Sequence, residues 1–247
     1  MKKIILFVFS IGLACGVFAA DEFTAAQTKQ IEQIVHNYLL SNPQVLMETA
    51  DKLQKKAMEE EKTKILASVP KAKAELFAAT PAKVMAGNPK GSVIMVEFSS
   101  YQCGHCRMMA PVVEKILKSN ADLQVIFIEW PIFGNEAVYA AKMALAAEKQ
   151  QKYSALHHAF MQSQESLRPE VADKIAVIQG LDMKKLKTDM DDKALETALK
   201  DNFKLAESLQ LRGTPTFIFA NRDLTKFSLV PGQASEEELV RAIQEVK

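Results

Sequence analysis

The chain has 247 residues, a formal net charge of +1 and a hydrophobic content of 48%. This length suits one elaborated domain or two small ones, and the near-neutral charge gives no indication of a nucleic-acid partner or of an anionic membrane surface as partner. Three cysteines are too few for a scaffold held together by disulfides, so a cysteine pair is better interpreted as reactive than as structural.

The first residues have the pattern of a secretory signal peptide. Lys2 and Lys3 precede an apolar stretch, 4–17, which is too short to span a membrane as a mature helix, and small residues follow it. We therefore predict that 1–19 is a signal peptide and that the mature protein is exported. Cys15 also allows a lipoprotein interpretation, but the residue three positions upstream is glycine, where an acylation signal favours leucine.

Residues 20–79 are predicted to form two or three amphipathic helices. Apolar residues recur at helical spacing over 31–39, and 41–43 (Ser-Asn-Pro) ends one helix and starts the next. The second helix is highly charged over 51–64. Because such helices have little to pack against within the segment, they should lie on the following domain or on a second copy of themselves. We predict an oligomerisation segment, and a solvated helical stalk is the alternative.

A strand followed by a helix carries the two remaining cysteines. After a turn at 88–91, residues 93–98 have the pattern of a buried strand, and apolar spacing becomes helical from Cys103 to about Ser119. Cys103 and Cys106 therefore lie at a helix N-terminus, where the helix dipole and free backbone N–H groups stabilise a thiolate. Two thiols at this spacing can form a small, reducible disulfide, which is the chemistry of thiol:disulfide exchange.

The pair also matches half of a zinc site, which needs two more ligands. The histidines at 36, 157 and 158 have no metal-type spacing relative to the pair, so we predict no metal. We interpret His157 and His158 as ordinary helix-surface residues. Met108 and Met109 are interpreted as helix packing and rim rather than as copper ligands.

The rest of the chain alternates strands and helices in a recognisable order. A second buried strand is predicted at 123–130, a long helical stretch at about 135–211, and a strand hairpin at 216–220 and 226–230. Ser235 then opens the last helix with a capping-box pattern. The order βαβ, helical insertion, ββα predicts an α/β protein: a thioredoxin fold with an inserted helical subdomain, preceded by an α-helical N-terminal extension.

Several features of this chain resemble the DsbA-like branch of the thioredoxin superfamily over about residues 84–247. Glu97 precedes the cysteine pair on the strand, Pro111 lies eight residues after Cys103, and 213–216 (Gly-Thr-Pro-Thr) matches the cis-proline loop of the family. The resemblance implies a periplasmic protein disulfide oxidoreductase that has a membrane redox partner. We assign the DsbA-like domain to 80–247.

The resemblance and the residues together give each site residue an expected role. Cys103 is expected to be the exposed nucleophile and Cys106 the more buried resolving thiol, and their disulfide replaces any cofactor. His105 is expected to lie near the Cys103 sulfur and to make the disulfide more oxidising; an exposed loop histidine is the alternative. Glu97 is expected to be a buried proton shuttle for Cys106, with a solvated carboxylate as the alternative.

Substrate binding is expected at Gly104, Thr214 and Pro215. A cis Pro215 would sit opposite the disulfide, and the Thr214 backbone could pair with an extended substrate as an added strand. The Gly-His dipeptide inside the pair is similar to that of protein disulfide isomerase, and threonine before the loop proline is similar to the dimeric isomerases of the superfamily. Those isomerases dimerise through a domain built largely from strands, whereas this segment is predicted to be helical.

We therefore predict an enzyme that introduces and isomerises disulfides in exported proteins, as a homodimer joined through residues 22–75. A trimer is not distinguished from a dimer by the sequence. The alternative function is that of a binding protein. It would be a chaperone-like dimer or a copper-handling thioredoxin-fold protein, which uses the cysteine pair as a soft ligand.

Overall fold

The computed structural model describes residues 23–247, so the predicted signal peptide at 1–19 lies outside the described residues. The chain divides into two compact units, the first ending at Lys56 and the second comprising Ala57–Lys247. Within the described part of the chain, no helix combines the length and the hydrophobicity needed to cross a bilayer.

The first unit consists of helix α1 and the first part of helix α2. Helix α1 (Ala25–Ser41) begins with a capping box, in which the Thr24 side chain accepts from the Gln27 backbone N–H and the Gln27 side chain accepts from Thr24. Helix α2 (Gln44–Phe77) follows directly and continues into the second unit. The α-helical extension predicted from the sequence is confirmed. Within residues 23–56, most of the large apolar side chains are exposed, namely Phe23, Ile31, Ile34, Val35, Tyr38, Leu40, Leu46, Met47 and Leu53.

A five-stranded sheet organises the second unit, with the strand order β1-β3-β2-β4-β5. The central pair β2–β3 is parallel, and the other three pairs are antiparallel. The strands are β1 (Lys83–Gly87), β2 (Val93–Ser99), β3 (Leu123–Glu129), β4 (Thr216–Asn221) and β5 (Phe227–Pro231).

Helices connect and cover these strands in the order that the sequence predicts. Helix α3 links the parallel pair, five helices form the insertion, and α9 follows the hairpin. The ranges are α3 (Gly104–Ser119), α4 (Asn135–Ala147), α5 (Tyr153–Gln162), α6 (Pro169–Ile178), α7 (Met183–Met190), α8 (Lys193–Ser208) and α9 (Glu236–Val246). The predicted thioredoxin fold with a helical insertion is confirmed.

The two faces of the sheet belong to two separate apolar cores. Met95 and Phe127 point to the face covered by α3, α9 and the insertion, whereas Val96 and its neighbours in alternation point to the other face. That second face packs against α8 and against the C-terminal part of α2, which contributes four buried residues: Ile65, Val69, Ala72 and Leu76.

This packing corrects the boundary of the predicted oligomerisation segment. Residues 22–75 cannot all be available to a second copy, because Ile65 and Val69 are buried in the core of their own chain. The helical pattern alone gave no sign of this difference, since the whole of α2 is a continuous helix. Residues 23–56, the described part of the first unit, contain no buried residue and are available to a second copy.

Strand β1 was not predicted. It is a five-residue edge strand, Lys-Val-Met-Ala-Gly, whose weak β-propensity is compensated by antiparallel pairing with β3. The Lys83 side chain at its start donates to the carbonyl groups of Glu75 and Leu76, which attaches the end of α2 to the sheet. Burial lowers the pKa of Lys83 to about 8.

Candidate active site

Cys103 is the N-cap residue of α3, directly before the first turn of the helix. Its sulfur accepts a hydrogen bond from the Cys106 backbone N–H at 3.3 Å, in the way that a capping side chain does. The pKa of Cys103 is lowered to about 5, first by its hydrogen bond with the Cys106 thiol and then by Thr214 and by backbone N–H donors at the helix start, against burial, which raises it. A thiolate at Cys103 is therefore favoured at neutral pH.

Both cysteines are free thiols, and both are buried. The expectation that Cys103 is exposed is wrong, because only 4% of the residue is accessible; the turn before α3 and the loop at Thr214 cover it. Cys106, one turn into α3, is fully buried, and burial raises its pKa well above the usual value. The predicted order of burial is retained, and the pair combines a stabilised thiolate with a thiol that holds its proton.

Glu97 lies on the sheet face that α3 covers. Its side chain shares this face with Met95 and, through the parallel register, with Phe127, and these two residues belong to the same core as Cys106. It is 1% exposed, and its Oε1 atom has no hydrogen-bond partner within residues 23–247. Burial, with a smaller contribution from Glu129, raises the pKa of Glu97 to about 8. Glu97 is thus a buried, protonated acid at neutral pH.

A second buried carboxyl group, Glu129, lies on the same face one strand away. Its Oε1 atom accepts hydrogen bonds from the Tyr101 hydroxyl at 2.6 Å and the Tyr153 hydroxyl at 2.9 Å. Burial raises the pKa of Glu129 to about 7, and the two tyrosine hydrogen bonds oppose this shift. The sequence analysis did not identify the two tyrosines that bind this carboxyl group.

His157 belongs to this polar cluster, so its interpretation as a helix-surface residue is wrong. Its Nδ1 atom lies 3.0 Å from the Tyr101 hydroxyl and 3.3 Å from that of Tyr153. Burial lowers the pKa of His157 to about 4, so the ring is neutral at physiological pH. His158 is exposed as predicted, and its Nδ1 lies 3.2 Å from the Glu114 carboxylate.

The loop before β4 faces the cysteine pair. The peptide bond between Thr214 and Pro215 is cis, and the Thr214 carbonyl oxygen lies 3.2 Å from the Cys103 sulfur, which donates to it as a thiol. The hydroxyl of Thr216 closes the loop by donating to the Gly213 carbonyl at 2.8 Å. Gly104, at the start of α3, is exposed, and a side chain there would meet no atom within 4 Å. The surface next to the pair is therefore open on the Gly104 side.

His105 is exposed and contacts a residue that the sequence did not identify. Its Nδ1 atom lies 2.8 Å from the Oε1 atom of Gln233, in the loop between β5 and α9. The backbone of His105 also contributes to lowering the pKa of the Cys103 thiol. The sequence predicted that the His105 ring lies near the Cys103 sulfur. The hydrogen-bond partner of the ring is instead the side chain of Gln233.

Within residues 23–247, no group of three or more His, Cys, Asp or Glu side chains is placed to hold a metal ion. Met108 is half exposed and Met109 is buried in α3. The site brings together two free thiols, a buried acid and a cis-proline loop. This combination can perform thiol:disulfide exchange.

The sequence model of the DSBA-like thioredoxin domain matches residues 94–244, which include the cysteine pair, the helical insertion and the cis-proline loop. The chain belongs to this family. It is a protein disulfide oxidoreductase, which confirms the activity class predicted from the sequence.

Relatives of this DsbA-like chain cover most of its length. The thiol:disulfide interchange protein DsbA of Bordetella parapertussis is 27% identical over 179 residues, which are 66% of this chain and 85% of that protein. A thioredoxin-like oxidoreductase from Silicibacter pomeroyi is 33% identical, with a TM-score of 0.62, over 66% of this chain and 91% of its own. BcfH of Salmonella enterica Typhimurium is 25% identical, with a TM-score of 0.68, over 90% and 96%.

The N-terminal helices of this DsbA-like chain have a separate match. The model of the copper resistance protein ScsC N-terminal domain matches residues 27–60, which comprise most of α1 and the first part of α2. The match ends just before Ile65, the first buried residue of α2. The helical extension is therefore a recognisable module that precedes the DsbA-like domain.

Proposed function

We propose that this enzyme introduces disulfides into exported proteins and isomerises incorrect ones, in the periplasm, with Cys103 as the attacking thiol and Cys106 as the resolving thiol. The observation that supports this most is the position of the Cys103 sulfur. It caps α3 and lies 3.2 Å from the carbonyl oxygen of Thr214, next to the cis Pro215. A substrate strand that pairs with Thr214 would present its sulfur to Cys103.

Oxidation of a substrate proceeds in two exchanges. A substrate thiolate attacks the Cys103 sulfur of the Cys103–Cys106 disulfide, so that a mixed disulfide forms and Cys106 leaves as a thiolate. A second substrate thiolate then attacks the substrate sulfur of the mixed disulfide, which forms the substrate disulfide and releases Cys103 as a thiolate. The lowered pKa of Cys103 makes it the better leaving group in this second step.

Cys106 needs a proton each time it leaves the disulfide, because burial raises its pKa. Glu97 is buried on the face of the sheet that α3, the helix of Cys106, covers. It is protonated at neutral pH, since burial raises its pKa to about 8. We propose that Glu97 donates this proton, and that it takes the proton back when Cys106 is oxidised again. Reoxidation removes two electrons from the pair and the one proton that Cys106 carries, and we propose a membrane redox partner as the electron acceptor.

Isomerisation starts from the reduced pair. The Cys103 thiolate attacks a substrate disulfide, and the released substrate thiolate can then attack another disulfide of the same substrate. A final attack on the mixed disulfide by a substrate thiolate forms a new substrate disulfide and returns the reduced enzyme, whereas attack by Cys106 releases a substrate with one disulfide reduced and leaves the enzyme oxidised. This cycle requires the substrate to be held while it rearranges, and a second catalytic domain facing the first would provide that grip.

We propose a homodimer that is joined through the helices of residues 23–56. The large apolar side chains of this segment, such as Ile34, Tyr38 and Leu46, are exposed in a single chain. Apolar faces of this kind are usually covered by a partner, and the recurrence of Ile31, Ile34 and Tyr38 at helical spacing suits a helix of a second copy.

Reactivation of scrambled ribonuclease, with trapping of mixed disulfides, tests this function. The wild type should restore ribonuclease activity, and a Cys106→Ala variant should accumulate substrate adducts through Cys103. A wild-type protein that oxidises reduced ribonuclease but leaves scrambled ribonuclease inactive would restrict the function to oxidation. Failure in both assays would contradict the proposal.

Copper handling is the second candidate, because the N-terminal helices match a domain of a copper resistance protein. In this function the two thiols bind Cu(I) as soft ligands. Competition with a Cu(I) chelator tests it: a copper carrier should retain the ion, lose it in a Cys103→Ser variant and show little turnover of disulfides. Rapid turnover together with weak Cu(I) retention would exclude it.

A further inference from the structure

The contact between His105 and Gln233 joins the redox pair to a distant loop. The Gln233 atom that lies 2.8 Å from His105 Nδ1 is the amide oxygen, which accepts, so this contact suits the tautomer with its proton on Nδ1. The tautomer of a histidine is set by the hydrogen bond that one of its ring nitrogens makes. The Gln233 amide therefore selects both the proton position and the orientation of the only side chain between Gly104 and Cys106.

The loop that carries Gln233 is anchored on both sides of the residue. The Gly232 N–H donates to the carbonyl oxygen of Pro215 at 2.8 Å, and Gly232 has a φ of +77°, which favours glycine. The Ala234 N–H donates to the Met109 sulfur of α3 at 3.4 Å. These contacts tie the loop to the cis-proline loop and to the helix of the cysteine pair.

The start of α9 fixes the other end of this loop. Ser235 accepts from the Glu238 N–H, and the Glu238 side chain accepts from the Ser235 N–H, in a capping box. Lys115 of α3 also contacts the Glu236 carboxylate at 2.6 Å. The backbone on both sides of Gln233 is therefore held in place before substrate arrives, as the support of a positioning group must be.

We propose that Gln233 is a positioning residue of the redox pair, which holds the His105 imidazole through Nδ1 so that the ring stabilises the reduced form. With Nδ1–H donated to Gln233, the ring dipole of His105 is held in one orientation at the start of α3. A fixed dipole at this place acts on the Cys103 thiolate, which exists only in the reduced form. Gln233 thus makes the disulfide more oxidising; this inference rests on the proposed role of His105.

The glutathione equilibrium measures this effect directly. Two glutathione thiols reduce the Cys103–Cys106 disulfide and form one glutathione disulfide. Two electrons enter the protein, Cys106 takes up one of the two released protons, and the other goes to solvent while Cys103 remains a thiolate. A Gln233→Met variant keeps the length of the side chain without the acceptor. We expect it to lower the equilibrium constant for this reduction roughly threefold to fivefold, the effect of one lost hydrogen bond.

Controls separate this inference from the proposed function. Gln244→Met makes the same change at an exposed position of α9 and should leave the equilibrium constant unchanged. His105→Ser should shift the constant, and Gln233→Met added to His105→Ser should cause no further shift. Nitrogen-15 NMR of the histidine ring should report a proton on Nδ1 in the wild type and a reduced Nδ1–H population in Gln233→Met.

Three results would overturn the inference. A shift for His105→Ser without one for Gln233→Met would remove Gln233 and leave the role of His105 intact. An equal shift for Gln233→Met in the presence and absence of His105 would show that Gln233 acts independently of the ring. The absence of a shift for His105→Ser would reject the role of His105 and the inference with it, while the thiol exchange of Cys103 would stand.

Discussion

The two halves of α2 have opposite surroundings, although they form one continuous helix. Before residue 57, the apolar side chains Leu46, Met47 and Leu53 are exposed, whereas after it Ile65, Val69 and Leu76 are buried against the sheet. The two halves differ because only the second half packs against the sheet of its own chain. Its buried residues recur every three or four positions and so lie on one side of the helix, facing the strands. Helical propensity makes the helix, and only tertiary packing buries one side of it.

The comparison separates two tasks within one chain. The unit Ala57–Lys247 completes its own apolar cores and carries the cysteine pair, the buried acid and the cis-proline loop. The described part of the first unit, residues 23–56, forms helices without buried residues. Chemistry should therefore depend on the second unit alone, and assembly should depend on the first. Each of the next four changes affects one unit, and the first two are tested by measuring both chemistry and assembly.

Replacement of the attacking thiol should have the largest effect. Cys103→Ser should lower the rate of disulfide exchange at least about a thousandfold, because a hydroxyl group cannot form the mixed disulfide. The mass in solution should not change. Trapping of substrate by Cys103→Ala as efficiently as by Cys106→Ala would contradict the assigned roles.

Charges on the apolar face of α1 should affect assembly and leave chemistry intact. The double change Ile34→Asp and Tyr38→Asp places two carboxylates where a second helix should pack, so the mass should fall to that of one chain. Reactivation of scrambled ribonuclease should decrease about tenfold, which corresponds to about 1.4 kcal/mol, while simple thiol oxidation remains. Gln33→Asp, on the opposite side of α1, is the matched control and should behave as wild type; equal effects would reject the interface.

Removal of the buried acid should slow turnover and stabilise the fold. Glu97→Gln should reduce the exchange rate near pH 7 by roughly tenfold, because Cys106 loses its proton donor. The pKa of Glu97 rises from about 4.5 to about 8 on folding. Its stabilising contribution is therefore complete below pH 4.5 and is lost as the pH rises through 8.

Denaturant unfolding of Glu97→Gln at several pH values measures this linkage. The variant should match the wild type near pH 4 and exceed its unfolding free energy by about 2 kcal/mol at pH 8. A constant difference between the two proteins across this range would contradict the raised pKa. Superimposable pH–rate profiles would make Glu97 a structural residue.

The smallest expected effect is that of His157 on the unfolding free energy, which changes only at acid pH. Its pKa falls from 6.5 to about 4 on folding, so its stabilising contribution is present above pH 6.5 and is lost as the pH falls through 4. Between these values the wild type should lose about 1–2 kcal/mol more unfolding free energy than His157→Gln. His158→Gln, an exposed neighbour, is the matched control. Parallel acid unfolding curves for all three proteins would argue against burial of His157.

Local patterns in the sequence predicted most of the catalytic domain. The strand before Cys103, the helix after it and the capping box at Ser235 each depend on residues within a few positions of one another, whereas the cis-proline loop was expected from the resemblance to the DsbA-like branch. The order of strands and helices then fixed the thioredoxin fold. These features were predictable because each turn or cap has its own residue preference.

Long-range contacts account for what the sequence did not predict. His157 meets Tyr101 across 56 positions, and Gln233 meets His105 across 128, so neither contact leaves a local pattern. Strand β1 depends on pairing with β3 rather than on its own propensity. The covering of Cys103 likewise depends on the Thr214 loop, more than one hundred residues later.

The separation of chemistry from assembly is tested most directly by comparing the mature chain with Ala57–Lys247 alone. Light scattering should give the mass of two chains for the mature protein and of one chain for the truncated protein. The truncated protein should oxidise thiols at a rate within about twofold of the mature protein, because the whole site lies within it. It should no longer reactivate scrambled ribonuclease. A mature protein with the mass of one chain, or a truncated protein that still reactivates scrambled ribonuclease, would contradict the account.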